Sequence, residues 1–356
     1  MYKNKLVIDP FCHCKDSPES SLNIRKSFLQ GFNKIKKIFE KYGKPIIPPE
    51  QSPNIWKKFD NKTFHDIFSG LDIPFQIFLE KFSQATFGSS SNEISAFQGL
   101  YYLERELKDR FSFPGGNACV SEKLQKQLKE RILCNSTVTS IVNNNNSYIV
   151  TYSLSDGSLE SIKTKSVIVA CGKQYIPYII KNIPSSQLDF FSKIRYNAFI
   201  IANVCTDKVF YNSAFATYFD KAFFADMVVA DWVASNGGKK LRKNNFHIYT
   251  LYCPINEKNR GILLAKPAIF WAEKILNSFK KYYPQINKHL LDLKLYRYGH
   301  HYVIAYPGFI TQIRPNIKRS IGNIFFAKDD IQGIPSIESA VWSGIEAADK
   351  VRNFFK

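Results

Sequence analysis

The residues best suited to chemistry lie near the end of the chain, in "IGNIFFAKDDIQGIPSIESAVWSGIEAADKV" (residues 321 to 351). Asp329 and Asp330 close an apolar run that reads as a buried strand, and a Gly/Pro turn then leads into a helix starting near Pro335 or Ser336. Carboxylates at a strand's carboxyl end and the free N–H groups of a helix start would share one crevice, where open α/β sheets bind ligands. An electron-rich ligand atom would be held there by the helix dipole, worth roughly 0.3 to 1 kcal/mol. Ala340, Gly344 and Ala347 or Ala348 recur at three and four residues, so this helix can be approached closely on one face.

Other candidates are fewer. "LYRYGHHYVIAY" reads as an alternating strand, so His300 and His301 would point to opposite faces and only one can line a site. His300, Tyr298 and Tyr306 are the substrate-pocket candidates. "CHC" at residues 12 to 14 invites a metal reading, but no second ligand pair follows at a finger-like spacing, and no metal is expected. No acid-base pair stands out, so no catalytic side chain is assigned.

The elements that must position these residues fall into blocks. Residues 1–110 read as mainly helical, with an amphipathic helix over 19–42, a Pro-rich connector and a well-capped helix over 92–110. Over 111–180 a Pro-Gly-Gly turn and a helix precede a strand, an Asn turn, a strand, an Asp-Gly turn, a strand and a last buried strand, "VIVACG". Residues 181–300 carry alternating segments that suggest an antiparallel sheet with one helix, and 301–356 return to a strand and a helix. This mixture predicts an α/β (mixed α+β) protein with an antiparallel-sheet and helical second domain.

These segments, in this order, resemble the FAD-dependent amine oxidase and desaturase family. The likeness rests on "IFFAKDDIQGIPSIESAVWSGIEAADKV", on "FSFPGGNACVSEKLQKQL", on "RILCNSTVTSIVNNNNSYIVTYSLSDGSLESIKTKSVIVACG" and on "YRYGHHYVIAYPGF". The resemblance implies a two-domain FAD/NAD(P)-binding flavoprotein fold, FAD as cofactor, a small-molecule substrate, and hydride transfer to flavin from an amine-type or C–C bond. It places Asp330 beside the ribityl or pyrophosphate part of FAD and the Ile337 amide at the flavin pyrimidine edge. It sets Val138 against adenine, and Cys171 and Gly172 where bulk near the cofactor is limiting.

One part of the family pattern is missing. The family opens with a strand, a GxGxxG turn and a helix that hold the diphosphate. Neither Gly115-Gly116 nor Gly237-Gly238 fits that turn. The expectation divides: a second polypeptide supplies the unit, or the chain is a non-catalytic remnant or interaction module binding FAD weakly or not at all.

Composition bounds the rest. With 356 residues, 45% hydrophobic, the chain can build a substantial core. Its apolar runs are too short for a membrane span, no export signal is visible, and seven scattered cysteines fit a reducing compartment, so a cytoplasmic protein is expected. The net charge of +19 suggests an anionic partner, yet only 11 of the 49 basic residues are Arg, which disfavours nucleic-acid readout.

Overall fold

The computed structural model describes residues 22–108, 112, 113, 116–233, 235, 236, 239, 240 and 246–356. The Cys12-His13-Cys14 motif, most of the Pro-Gly-Gly turn and Gly237-Gly238 lie outside them.

The helices Leu22–Tyr42, Ile73–Phe87 and Ala96–Glu106 form the N-terminal block. Their boundaries have local causes. Ser95 Oγ accepts the Phe97 N–H at 3.2 Å at one start, Pro74 sits in the first turn of another, and Gly88 at φ 68° ends it in a left-handed cap. The block is filled with phenylalanine rings in edge and tilted contacts, among them Phe28, Phe64, Phe68, Phe75 and Phe82. Gly31 admits the Phe75 ring, because a Cβ there would lie 2.2 Å from it.

A five-stranded antiparallel sheet has the order Leu290–Tyr298, Ala198–Thr206, His247–Ile255, Asp226–Val229, Ala216–Tyr218. Alternate residues of its central strands face a separate core, closed by Trp271, Ile275 and Phe279 of the helix Ala268–Lys280. The larger core joins the N-terminal helices to residues 303–334 and to a three-stranded meander, Thr137–Asn144, Ser147–Ser153 and Leu159–Thr164.

The meander lies near a short parallel pair, Val167–Val169 with Ile324–Phe326. Ile324 and Phe326 face the large core, whereas Phe325 faces the other way, with Ala327, onto Ala347 of the helix Ile337–Phe354. The mixed α/β class is therefore what the chain adopts, with parallel and antiparallel sheets as separate units.

Three local expectations change. The strand carrying Tyr298 ends at that residue, so His300 and His301 are not on opposite faces of a strand. Arg260 captures the carbonyls of Gly299 and Tyr196, each at 2.6 Å, and the chain bends away. Ile168, in the strand expected to be buried, is 41% exposed. Finally, the helix Ile337–Phe354 buries Ser339, Ser343 and Ala347; Ala340 and Ala348 are exposed, and Gly344 has no heavy atom within 4 Å of a built Cβ.

Candidate functional site

The carboxyl end of the parallel pair is a charged knot. Lys328 follows the strand at φ 117°, a backbone conformation costly for any residue with a side chain, of order 1 to 3 kcal/mol. Its N–H donates to Ser343 Oγ at 2.8 Å, which ties the strand end to the helix. Its Nζ donates to Asp329 Oδ1 at 2.9 Å and stands 3.7 Å from Asp330 Oδ2. Burial alone would lower the Lys328 pKa, but the two carboxylates outweigh it and raise it.

Asp330 is fully buried, and so is its counter-ion Lys173. The Nζ to Oδ1 distance is 3.0 Å, off the line of a hydrogen bond, so the contact acts through charge. Oδ2 takes the hydrogen bonds, from the Lys173 N–H at 3.1 Å and from Tyr196 OH at 2.8 Å. Lys173 Nζ also donates to the carbonyls of Ala327 at 2.7 Å and Cys171 at 3.3 Å. Burial, then the Asp330 charge, hold the Tyr196 phenol far above its usual range. The Asp330 carboxylate thus locks the segment after Val167–Val169 to the segment after Ile324–Phe326. Asp329 keeps some solvent access, and burial raises its pKa against the pull of Lys328.

Next to this knot the turn before the last helix is held from the N-terminal block. Gly333, at φ 67°, has no room for a side chain, since a Cβ would lie 2.7 Å from the Phe309 ring. Gln98 Nε2 donates to the Gly333 carbonyl at 2.6 Å, while its Oε1 is buried without a hydrogen-bond partner. Tyr102 OH donates to the Pro335 carbonyl. Ser336 caps the helix by accepting the Ser339 N–H at 3.1 Å. Among the described residues, the Ile337 and Glu338 N–H groups have no partner.

An aromatic slab forms a third part. The His301 ring stacks on Tyr302 at 3.9 Å and on Tyr298 at 5.0 Å, with Phe199 edge-on at 5.0 Å. Burial, then Lys328, push the imidazole down to about 4, so it is neutral at physiological pH. Tyr102 is held well above its usual range by burial, then by neighbouring Tyr302, Tyr101, Glu338 and Asp329, which joins slab, helix start and knot into one region.

The residues singled out in the sequence scatter around this region. Cys171 gives its carbonyl to Lys173, and burial raises its thiol pKa. The space a Gly172 Cβ would fill holds the Gln174 amide, 2.3 Å away. Val138 lies on the exposed edge of the meander beside an irregularity in register. Ile337 is the first helical residue, with its side chain in solvent. His300 is exposed, with its ring 5.9 Å from Tyr196 and its pKa lowered by burial and Arg260. Tyr298 joins the slab, whereas Tyr306 donates to the Lys193 carbonyl at 3.2 Å and packs on the larger core. Sequence reasoning missed Lys173, Tyr196, Gln98 and Tyr102. Only Lys328 left a trace, as a lone cation between an apolar strand and two acids.

The family of flavin containing amine oxidoreductases matches residues 32–352. The chain belongs to that family. A curated relative, "Oxidoreductase PigB" of Serratia sp. (strain ATCC 39006), is 23% identical over 287 residues. The match covers 73% of this chain and 41% of PigB, so the chain spans less than half the length of that relative. Among solved structures, putrescine oxidase bound to putrescine superposes with a TM-score of 0.72 at 15% identity, covering 94% of this chain and 76% of that one. Cyclohexylamine oxidase from Brevibacterium oxydans IH-35A gives 0.70 at 14% identity, with 95% and 77% covered. The flavin amine oxidoreductase fold is thus shared at low sequence identity.

For a member of this family the residues present suit one end of a flavin. The two free amides at Ile337 and Glu338, the orphaned Gln98 Oε1 and the accessible Asp329 offer donors, an acceptor and a carboxylate around one helix start. Among the described residues, no group of His, Cys, Asp and Glu is placed to hold a metal ion, and no helix is long and apolar enough to cross a membrane.

Proposed function

We propose that this chain works as the substrate-binding and flavin-edge part of an FAD-dependent oxidoreductase that oxidises a small amine-type or C–C substrate. The observation that carries the reading is the free, capped helix start at Ile337 next to Asp329, at the carboxyl end of parallel strands, in a chain matching the family over 32–352. FAD, when bound, supplies the hydride acceptor.

The chain's own residues would do the rest. The Ile337 and Glu338 amides would face the electron-rich pyrimidine edge, and Asp329 would take the polyol hydroxyls, since the Asp330 carboxylate is fully buried and already paired with Lys173 and Tyr196. Cys171 and Gly172 would limit bulk beside the cofactor, and Val138 would approach adenine from the meander. Tyr298, neutral His301 and Tyr302 would give a flat wall that orients an amine, with Tyr102 closing the side toward the helix start. His300 and Tyr306 would line the outer pocket. The diphosphate would be held by a strand–GxGxxG–helix unit, a motif that these 356 residues do not carry. A reducing, cytoplasmic setting belongs to the same reading, and Cys119, Cys134, Cys171 and Cys253 form no disulfide.

The test is a titration of the chain with FAD in the presence of such a unit, followed by anaerobic mixing with a panel of primary and secondary amines. Tight binding that Asp329→Ala weakens by about tenfold, and flavin bleaching by at least one amine, are expected. A complex that takes up no FAD would sink the reading.

A further inference from the structure

The helix that closes the antiparallel sheet begins in an unusual stretch. Trp271, Ile275 and Phe279 of Ala268–Lys280 point into the sheet's core, but the chain leading into them, the short helix Arg260–Ala265 and then Pro267, is turned outward. From 261 to 270 the sequence reads "GILLAKPAIF", with Lys266 as its single charge. Leu263 is buried in the core and every other residue of this stretch is exposed, Leu264 by 64% and Ile269 by 63%. Apolar residues exposed singly are ordinary. Ile262, Leu264, Ile269 and Phe270, crowded onto one bend, form a patch of the kind that marks an interaction surface.

The backbone of this bend needs little water. Arg297 Nη1 donates to the carbonyls of Leu263 at 3.2 Å and Lys266 at 2.9 Å, which a helix end would otherwise leave to solvent. The Ile262 carbonyl accepts the Lys266 N–H at 3.1 Å, the Pro267 carbonyl accepts the Phe270 N–H at 3.2 Å, and Pro267 has no N–H to satisfy. Arg260 ties the start of the bend to the Gly299 and Tyr196 carbonyls. A bend whose polar backbone groups are met from within can enter a medium poorer in water than bulk solvent.

The charge around it has one sign. Over 256–281 the basic residues Lys258, Arg260, Lys266, Lys274, Lys280 and Lys281 are opposed by only two acids, Glu257, which Arg195 holds, and Glu273. Lys266 lies over the Phe270 ring at 5.4 Å, so its stem runs along the patch and its ammonium group sits at the rim.

We infer that residues 261–270 seat this protein on an anionic lipid bilayer. Leu264 and Ile269 enter the boundary between headgroups and acyl chains, while Lys258 and Lys266 meet the lipid phosphates. Charge complementarity selects this occupant. A second copy of the chain, packed about a two-fold axis, would set the same patch against itself and bring the lysines of both rims together. An anionic bilayer takes the apolar side chains and neutralises the rim at once. The inference does not depend on the flavin reading.

Co-sedimentation of the full chain with vesicles tests it, using phosphatidylcholine alone and phosphatidylcholine with about one third phosphatidylserine. Half-binding should need about tenfold less lipid with the anionic vesicles than with the neutral ones. Leu264→Ser combined with Ile269→Ser leaves the net charge at +19 and should weaken that binding by about tenfold, with the chain's own melting curve unchanged. Lys258→Gln combined with Lys266→Gln should remove most of the preference for anionic vesicles. If the serine variant binds as the native chain does, the charge of the whole protein acts alone and the inference is overturned. Failure to sediment with either vesicle also overturns it and leaves the patch to a protein partner. So does a lipid-free dimer that the serine variant dissociates, because a second copy then covers the patch.

Discussion

The antiparallel sheet and the parallel pair are built from similar residues and end in opposite conditions. In the first, Ala268–Lys280 lays Trp271, Ile275 and Phe279 into a core that the sheet alone cannot close. In the second, the helix Ile337–Phe354 covers Phe325 and Ala327 with one narrow face and leaves Ile337, Val341 and Ile345 in water, and Ala118–Leu128 buries none of its residues. The contrast teaches that amphipathic periodicity records what an element is made to bury, and only the structure says whether the chain itself supplies it.

The comparison can be broken first where it is strongest. Asp330→Ala leaves Lys173 charged and fully buried, so a loss of about 3 to 5 kcal/mol is expected in urea unfolding. Replacing both partners with Leu and Met should cost much less, and equal losses for single and double variants would refute a paired charge. Phe279→Ala, in the closed core, should cost about 3 to 5 kcal/mol by the same measurement.

A third outcome concerns pH. His301 titrates near 6.5 in an unfolded chain and is pushed down to about 4 in the fold, so the unfolded chain takes up its proton first. Stability present above pH 6.5 should fall as the pH drops toward 4, by up to about 3 kcal/mol, and His301→Phe should remove that slope. The smallest effect sharpens the contrast. Ile345→Ala should change stability by less than about 0.5 kcal/mol, although it removes as much hydrocarbon as a core substitution. A loss near 2 kcal/mol would mean that the face is covered after all.

Local signals explain what was legible in the sequence. The run "NIFFA", the turn at Gly333 and a helix start beside Ser336 are short-range, and each has the expected form. The partner of Asp330 was not legible, because Lys173 lies 157 positions away and follows an ordinary "ACG". The two histidines were misplaced for a related reason. The strand ends at Tyr298 because Arg260, from a different segment, takes the Gly299 carbonyl. The stripe of Ala340, Gly344 and Ala348 was visible as small residues, but spacing does not reveal which way a stripe faces.

The Lys173–Asp330 lock has a kinetic consequence. It joins the two loops leaving the parallel strands to each other and to Tyr196, so neither loop can open alone. Their amides should therefore exchange with solvent at one common rate, set by opening of the pair together.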